Sequence, residues 1–140
     1  MNFSIQALTP MRLCVFDKAE FEAFIDSDPA TYKSFIRSFM AKKEALEARI
    51  VDLGRRSAEE RIAHFMLDLQ VRLEQRGRGG KIIPFPMKDH HIADALGLTQ
   101  VHVSRIIGRL RKAGLIHIAG GKLEFLDLDA LREIAAGRRG

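Results

Sequence analysis

The spacing of apolar residues changes along the chain, and each change predicts an element. Over residues 11–16 the period is two. Met11, Leu13 and Val15 fall on one side, and Arg12, Cys14 and Phe16 on the other. This predicts a strand, with a second short one over residues 5–8. Two strands make at best a marginal sheet, so these look like the end of something larger, and their edges need a partner. Asp17-Lys18-Ala19-Glu20 is a capping-box pattern, with Phe16 and Phe21 placed for a hydrophobic staple. A short helix follows, to about Asp26. Asp28-Pro29 then starts another, with Asp28 as N-cap and Pro29 at the first helical position, where its missing N–H costs nothing.

From residue 29 to about residue 53 the period lengthens to seven. Tyr32, Phe39, Leu46 and Leu53 repeat at that spacing, with Ile36, Lys43 and Ile50 repeating between them. These are d and a positions of a heptad, and they predict the seam of a parallel homodimer. Lys42 is then a g residue and Glu47 an e residue, so a partner places opposite charges side by side. Lys43 is a polar a residue of the kind that fixes register. A single amphipathic helix lying on its own domain is the competing reading of the same stripe.

Gly54-Arg55-Arg56 predicts the end of that helix, and Ser57-Ala58-Glu59-Glu60 a new capping box. Ala58, Ile62, Phe65, Met66, Leu69 and Leu73 form an apolar stripe at the helical period, stopped by Gly77. His64 sits near that stripe, which predicts partial burial. "RGRGGK" (76–81) reads as a loop, and "KIIPFPM" (81–87) as an extended piece interrupted by two prolines.

Residues 88–96 predict a helix with Ile92, Ala93 and Leu96 inward. Gly97 ends it, Leu98 packs, and Thr99 caps the next helix, over residues 99–112. Two helices joined by so short a glycine-containing turn are the signature of a helix-turn-helix. In the second helix Val103, Ile106, Ile107 and Leu110 form the buried side. Gln100, Val101, Ser104, Arg105 and Gly108 lie on or near the opposite one. That arrangement presents the N-terminal residues of a locked helix to the major groove of DNA. Residues 117–118 and 122–125 predict two strands around the Gly120-Gly121 turn, a wing. Asp127 or Asp129 caps a last helix.

Charge sharpens this picture. The net charge is +5. Residues 95–123 hold no acidic side chain but include Arg105, Arg109, Arg111, Lys112 and Lys122. Solvated faces usually mix signs, so a run of one sign points to a polyanion. The lone Cys14 makes no internal disulfide and builds no cysteine-rich metal or cluster site. No apolar run is long enough to span a membrane, and the N-terminus lacks the pattern of a secretory signal. A cytoplasmic protein, associated with the nucleoid when bound to DNA, is the expectation.

Three stretches carry a resemblance: "RSAEERIAHFMLDL", "HHIADALGLTQVHVSRIIGRLRKAGLI" and "GGKLEFLDLDAL". They resemble the C-terminal part of the Crp/Fnr family of bacterial transcription regulators. The likeness runs over residues 7–136 and is most specific over residues 92–116. It implies a mainly α protein: a winged helix-turn-helix DNA-binding domain preceded by a long dimerisation helix and a remnant of a β-roll. It further implies a homodimer on a near-palindromic operator, with RNA polymerase a candidate partner. The β-roll of the family senses a ligand, a gas or redox state. Only "IQALTPMRLCVF" looks like its end here, so most of the sensor is missing, by truncation or in a natural short form. The expected division is residues 1–27 for the roll remnant and short helix, 28–54 for the dimerisation helix, and 55–140 for the DNA-binding domain.

Two departures from the family pattern matter. Many Fnr-like members carry "LTxExxSR", in which the glutamate reads cytosine. Ser104 and Arg105 match that pattern, but Val101 occupies the glutamate position. The cysteines of the iron–sulfur members are absent as well, so no cofactor is expected.

The base-reading candidates are therefore Gln100, Val101, His102, Ser104 and Arg105. The phosphate-contacting candidates are Lys88, His90, Thr99, Arg109, Lys112 and Lys122. His90-His91 is a poor chelating pair, because adjacent helical residues point about 100° apart, and no further ligand completes a site. His91 reads as a surface residue. No nucleophile–base pair, metal spacing or phosphate-binding glycine loop argues for an enzyme. The alternative from another class is a protein-interaction module that forms mixed dimers with full-length regulators and inhibits them.

Overall fold

The computed structural model describes residues 6–138, apart from the side chains of residues 45, 48–53 and 55. The chain divides into two compact units, residues 1–51 and 52–140.

In the first unit, residues 6–16 form no strand and are exposed throughout; Val15 is 90% exposed. This corrects the strand expected over residues 11–16 and the described part of the one over residues 5–8. Ile5 itself lies outside the described residues. Alternation supplies two faces, but a strand also needs a neighbour for its N–H and C=O groups, and no described residue provides one. Helix α1 (Lys18–Ser27) starts as predicted. The Asp17 carboxylate accepts the N–H groups of Ala19 and Glu20. The Phe16 and Phe21 rings, 6.1 Å apart, close the staple over it.

Helix α2 (Pro29–Arg55) follows. The Asp28 carboxylate caps it, accepting the Thr31 hydroxyl at 2.6 Å and the N–H groups of Ala30 and Thr31 at 3.1 and 3.0 Å. Hydrogen bonds favour the charged form. The Thr31 hydroxyl above all, then the two backbone groups, hold the Asp28 carboxyl below the usual aspartate range. Phe21 meets Phe35 edge-on at 5.7 Å, tying α1 to α2. The helix ends at Arg55, within the Gly54–Arg56 break that the sequence predicts, and Gly54 itself is still helical. A single glycine lowers helix propensity by about 1 kcal/mol but does not end a helix unless it turns left-handed, and Gly54 does not.

The second unit begins with helix α3 (Ala58–Glu74), closed at its start by a complete Ser57–Glu60 capping box. Its stripe buries Ile62, Phe65 and Met66, as the periodicity predicts. His64 is exposed, against expectation. It points outward from between Ala63 and Phe65, which hold the buried side. The side chain of Gln70 is buried and donates to the Gly80 carbonyl at 3.1 Å, anchoring the loop that follows.

Strand β1 (Ile82–Pro84), helices α4 (Asp89–Leu96) and α5 (Gln100–Lys112), strands β2 (Ile116–Ala119) and β3 (Lys122–Phe125), and helix α6 (Leu128–Ala135) complete the unit. The sheet is antiparallel in the order β1-β3-β2, with Ile83 opposite Leu123 and Ile118 opposite the same residue. Pro84 donates no ladder bond and accordingly sits on an edge strand. One face of the sheet covers the core through Ile83, Ile116, Leu123 and Phe125, each at most 1% exposed. Asp127, not Asp129, caps α6; the Asp129 carboxylate pairs with Arg132 at 2.9 Å instead. The result is a mainly helical chain with a small three-stranded sheet, a winged helix-turn-helix. Among the described residues no helix is long and apolar enough to cross a membrane.

Candidate nucleic-acid interface

The turn between α4 and α5 is built by three residues in a row. Gly97 adopts a left-handed φ of 62°, which a side chain would strain. The Leu98 N–H then reaches back to the Ala93 carbonyl at 2.9 Å. The Thr99 hydroxyl accepts the His102 N–H at 3.2 Å and caps α5. A contact not foreseen from sequence fixes the other side of the turn. The Arg61 guanidinium on α3 donates to the Leu96 carbonyl at 3.0 Å, the last carbonyl of α4. Helix C-termini leave such carbonyls unpaired and carry partial negative charge, so a cation there is doubly suited.

Helix α5 is held from below by Val103, Ile106, Ile107 and Leu110, all buried. Its other side is open. Val101 is 68% exposed, and Gln100, His102, Ser104 and Arg105 are exposed. Gln100, Val101, Ser104 and Arg105 line one shallow depression together. The structure thus brings four of the five base-reading candidates to a single surface, with His102 on the flank. Arg105 makes no ion pair with any described residue, so its donors face solvent.

The phosphate candidates spread over several elements. Lys88 precedes α4 and His90 lies in its first turn; both are exposed. Lys112 ends α5, and Lys122 stands exposed at the tip of the wing. Thr99 uses an oxygen lone pair on the His102 N–H, which leaves its hydroxyl hydrogen to donate. Arg109 differs from these. Its guanidinium turns toward α3 and pairs with Glu59 at 3.6 Å. Arg109, Arg111 and Lys112 also occupy the last turn of α5, where cations stabilise the helix dipole. Part of the basic character therefore serves the fold.

The two adjacent histidines pack together at the start of α4. Their ring centroids are 3.9 Å apart, and among the described residues no third ligand joins them. His91 is committed locally instead, and is partly buried: its Nδ1 accepts the Lys88 N–H at 3.0 Å, at the start of α4.

Along α2, the heptad residues Tyr32, Ile36, Phe39 and Leu46 are exposed, Leu46 by 61% and Phe39 by 59%. Glu47 takes Lys43 of its own helix at 2.9 Å, a turn away, rather than standing free for Lys42 of another chain. The side chains of Ile50 and Leu53 lie outside the described residues.

Residues 60–134 match the family described as the Crp-like helix-turn-helix domain. The chain is 37% identical over 137 residues to the nitrogen fixation regulation protein FixK of Bradyrhizobium diazoefficiens, covering 96% of this chain and 57% of that protein. It is 28% identical over 134 residues to the fumarate and nitrate reduction regulatory protein of Escherichia coli K12, covering 96% of this chain and 54% of that one. The chain thus spans about half the length of these curated relatives. Among solved structures, FixK2 from Bradyrhizobium japonicum superposes with a TM-score of 0.75 at 24% identity, covering 84% of this chain and 58% of that one. This last likeness is one of fold.

Proposed function

The chain belongs to the Crp/Fnr family of transcription regulators, and from that premise we propose that it binds DNA sequence-specifically as a homodimer on a near-palindromic operator. Helix α5 enters the major groove. Gln100, Val101, His102, Ser104 and Arg105 read base edges. Lys88, His90, Thr99, Lys112 and Lys122 hold phosphates, and Arg109 joins them only by exchanging Glu59 for a phosphate. The observation that carries the reading is the surface of α5. A capped helix is anchored by four buried apolar residues, and its polar N-terminal half stands open, with an unpaired arginine, in a segment without acids. Arginine donates bidentately to the O6 and N7 of guanine.

The homodimer is supported by the exposed heptad face of α2. Large apolar residues at that spacing are stable in water only when covered. A two-fold dimer carries two copies of α5, so half-sites are expected about one helical turn apart, roughly 34 Å. In the cell, such a protein resides in the cytoplasm on the nucleoid, with RNA polymerase as a further partner.

Selection of bound sequences from a random duplex pool, followed by footprinting, tests the proposal. The expected result is an inverted repeat protected over both halves. Protection of one half-site alone would overturn the dimer. Absence of any enriched sequence, with mixed-dimer formation with a full-length relative, would favour a protein-interaction role instead.

A further inference from the structure

We propose that the solvent side of α5 at Gly108 seats the sugar–phosphate backbone of bound DNA, and that it is open because residue 108 has no side chain. The inference rests on the DNA-binding reading above. Gly108 lies one turn after Ser104 and Arg105 and one turn before Arg111 and Lys112, in line with the proposed reading surface. Its backbone is ordinary right-handed helix, so no left-handed conformation calls for glycine. A Cβ placed there would meet nothing within 4 Å, so no packing inside the chain calls for it either. Yet glycine in a helix interior is less stable than alanine, through the extra backbone freedom lost on folding. A cost that the chain itself does not require points to a demand from outside it.

The surroundings specify that demand. Gly108 lines a depression together with Arg111, Lys112, Ile116, His117 and Leu126. None of these lining residues carries a carboxylate. Cations beside bare helix backbone suit a polyanion that approaches closely, and the Leu126 edge suits the apolar flank of a sugar. A helix lying in the major groove is flanked by the two phosphate strands. A strand passing the C-terminal half of α5 would cross at Gly108, with Arg111 and Lys112 on its phosphates. A β-carbon there would hold the strand off and lift the reading residues away from the bases.

The test uses the full chain with Gly108→Ala and Gly108→Leu, reading thermal melting and operator affinity at fixed salt. Gly108→Ala is expected to raise the melting temperature by roughly 2–6 °C. The same change is expected to weaken operator binding by about tenfold, and leucine to weaken it further. Stability and affinity thus move in opposite directions, which a merely structural glycine would not produce. A lower melting temperature for Gly108→Ala would overturn the inference, as would unchanged affinity in both variants. Unchanged affinity with lost activity in reconstituted transcription would assign the depression to a protein partner and overturn it too. Equal binding by parent and variants sinks this inference alone, whereas a parent that binds no duplex sinks the DNA reading as well.

Discussion

Arg105→Ala separates base reading from attraction to phosphate. Arg105 is exposed and makes no ion pair with a described residue, and the helix beneath it is held by other side chains. Arginine and alanine are both good helix formers, so folding stability should change by less than about 0.5 kcal/mol. Any larger effect on DNA is therefore an effect on the complex. A bidentate arginine–guanine pair discriminates by about 1–3 kcal/mol. At about 1.4 kcal/mol per tenfold, that is a loss of roughly 5- to 140-fold per half-site. A symmetric dimer carries two such residues. On a full operator the loss approaches the square of the single value, provided the half-sites act independently.

The assay is fluorescence anisotropy at one fixed salt concentration, because phosphate contacts make every affinity salt-dependent. Parent and variant are titrated with operators carrying each of the four bases at the position that selection assigns to guanine. The parent should prefer guanine there, and the variant should bind all four alike. The difference between the two series isolates the pairwise interaction from general weakening. If Arg105→Ala loses the same factor on operator and on random duplex, the assignment fails and Arg105 is a phosphate clamp.

Further outcomes are expected. Val101 has no hydrogen-bonding group, so the neighbouring base should be weakly specified or favour thymine, whose methyl rewards apolar contact; Val101→Glu should shift preference to cytosine in the same titration, and an unchanged preference counts against the placement. Replacing Phe39 and Leu46 with glutamate should raise the dimer dissociation constant by about tenfold or more per side chain; a parent that sediments as a monomer at micromolar concentration refutes the seam. The Asp28 carboxyl titrates below its unfolded value, so its contribution to α2 is full above about pH 4 and is lost as pH falls through the lower folded value. Asp28→Asn should remove that acid-side loss of helicity measured by circular dichroism; an identical acid profile in both proteins would dissociate the cap from it.

The elements that the sequence made legible are those whose signals are local. Ser57 and Glu60 close their capping box within four residues, and the α5 stripe of Val103, Ile106, Ile107 and Leu110 is buried as its period requires. What the sequence hid depends on distant partners. Residues 11–16 alternate like a strand, but alternation does not supply the neighbouring strand that a ladder needs. In β1 the opposite happened. Pro84 within it and Pro86 just after it read as marks of a loose extended piece, yet Ile83 and Phe85 are buried while Ile82 and Pro84 are exposed. That alternation is visible in the sequence, but it indicates a third strand only once the wing is there to pair with it. From the sequence Arg109 reads as one more phosphate-contacting cation, because its ion-pair partner, Glu59, lies fifty residues earlier in the chain.

Arg61 shows why such long-range polar contacts govern the site without touching DNA. Helix α4 has eight residues, too few to be stable alone, so tertiary contacts must fix where it ends. Its terminal Leu96 carbonyl is the point from which the turn through Gly97 is launched, and any shift there moves Thr99 and the start of α5. The Arg61 guanidinium clamps that carbonyl from α3. It does so at a cost, because its Nε is buried with no hydrogen-bond partner, and an unsatisfied buried donor costs about 1–3 kcal/mol. A charge-assisted bond to a carbonyl returns a similar amount, about 1.5–3 kcal/mol. The two effects are of the same order, so the bond to the carbonyl offsets the unsatisfied Nε. Its geometric effect does not cancel in that way: it ties the last carbonyl of the first helix to the element beneath both. The angle at which α5 presents Val101 and Arg105 therefore depends on a residue of α3, outside both helices of the motif.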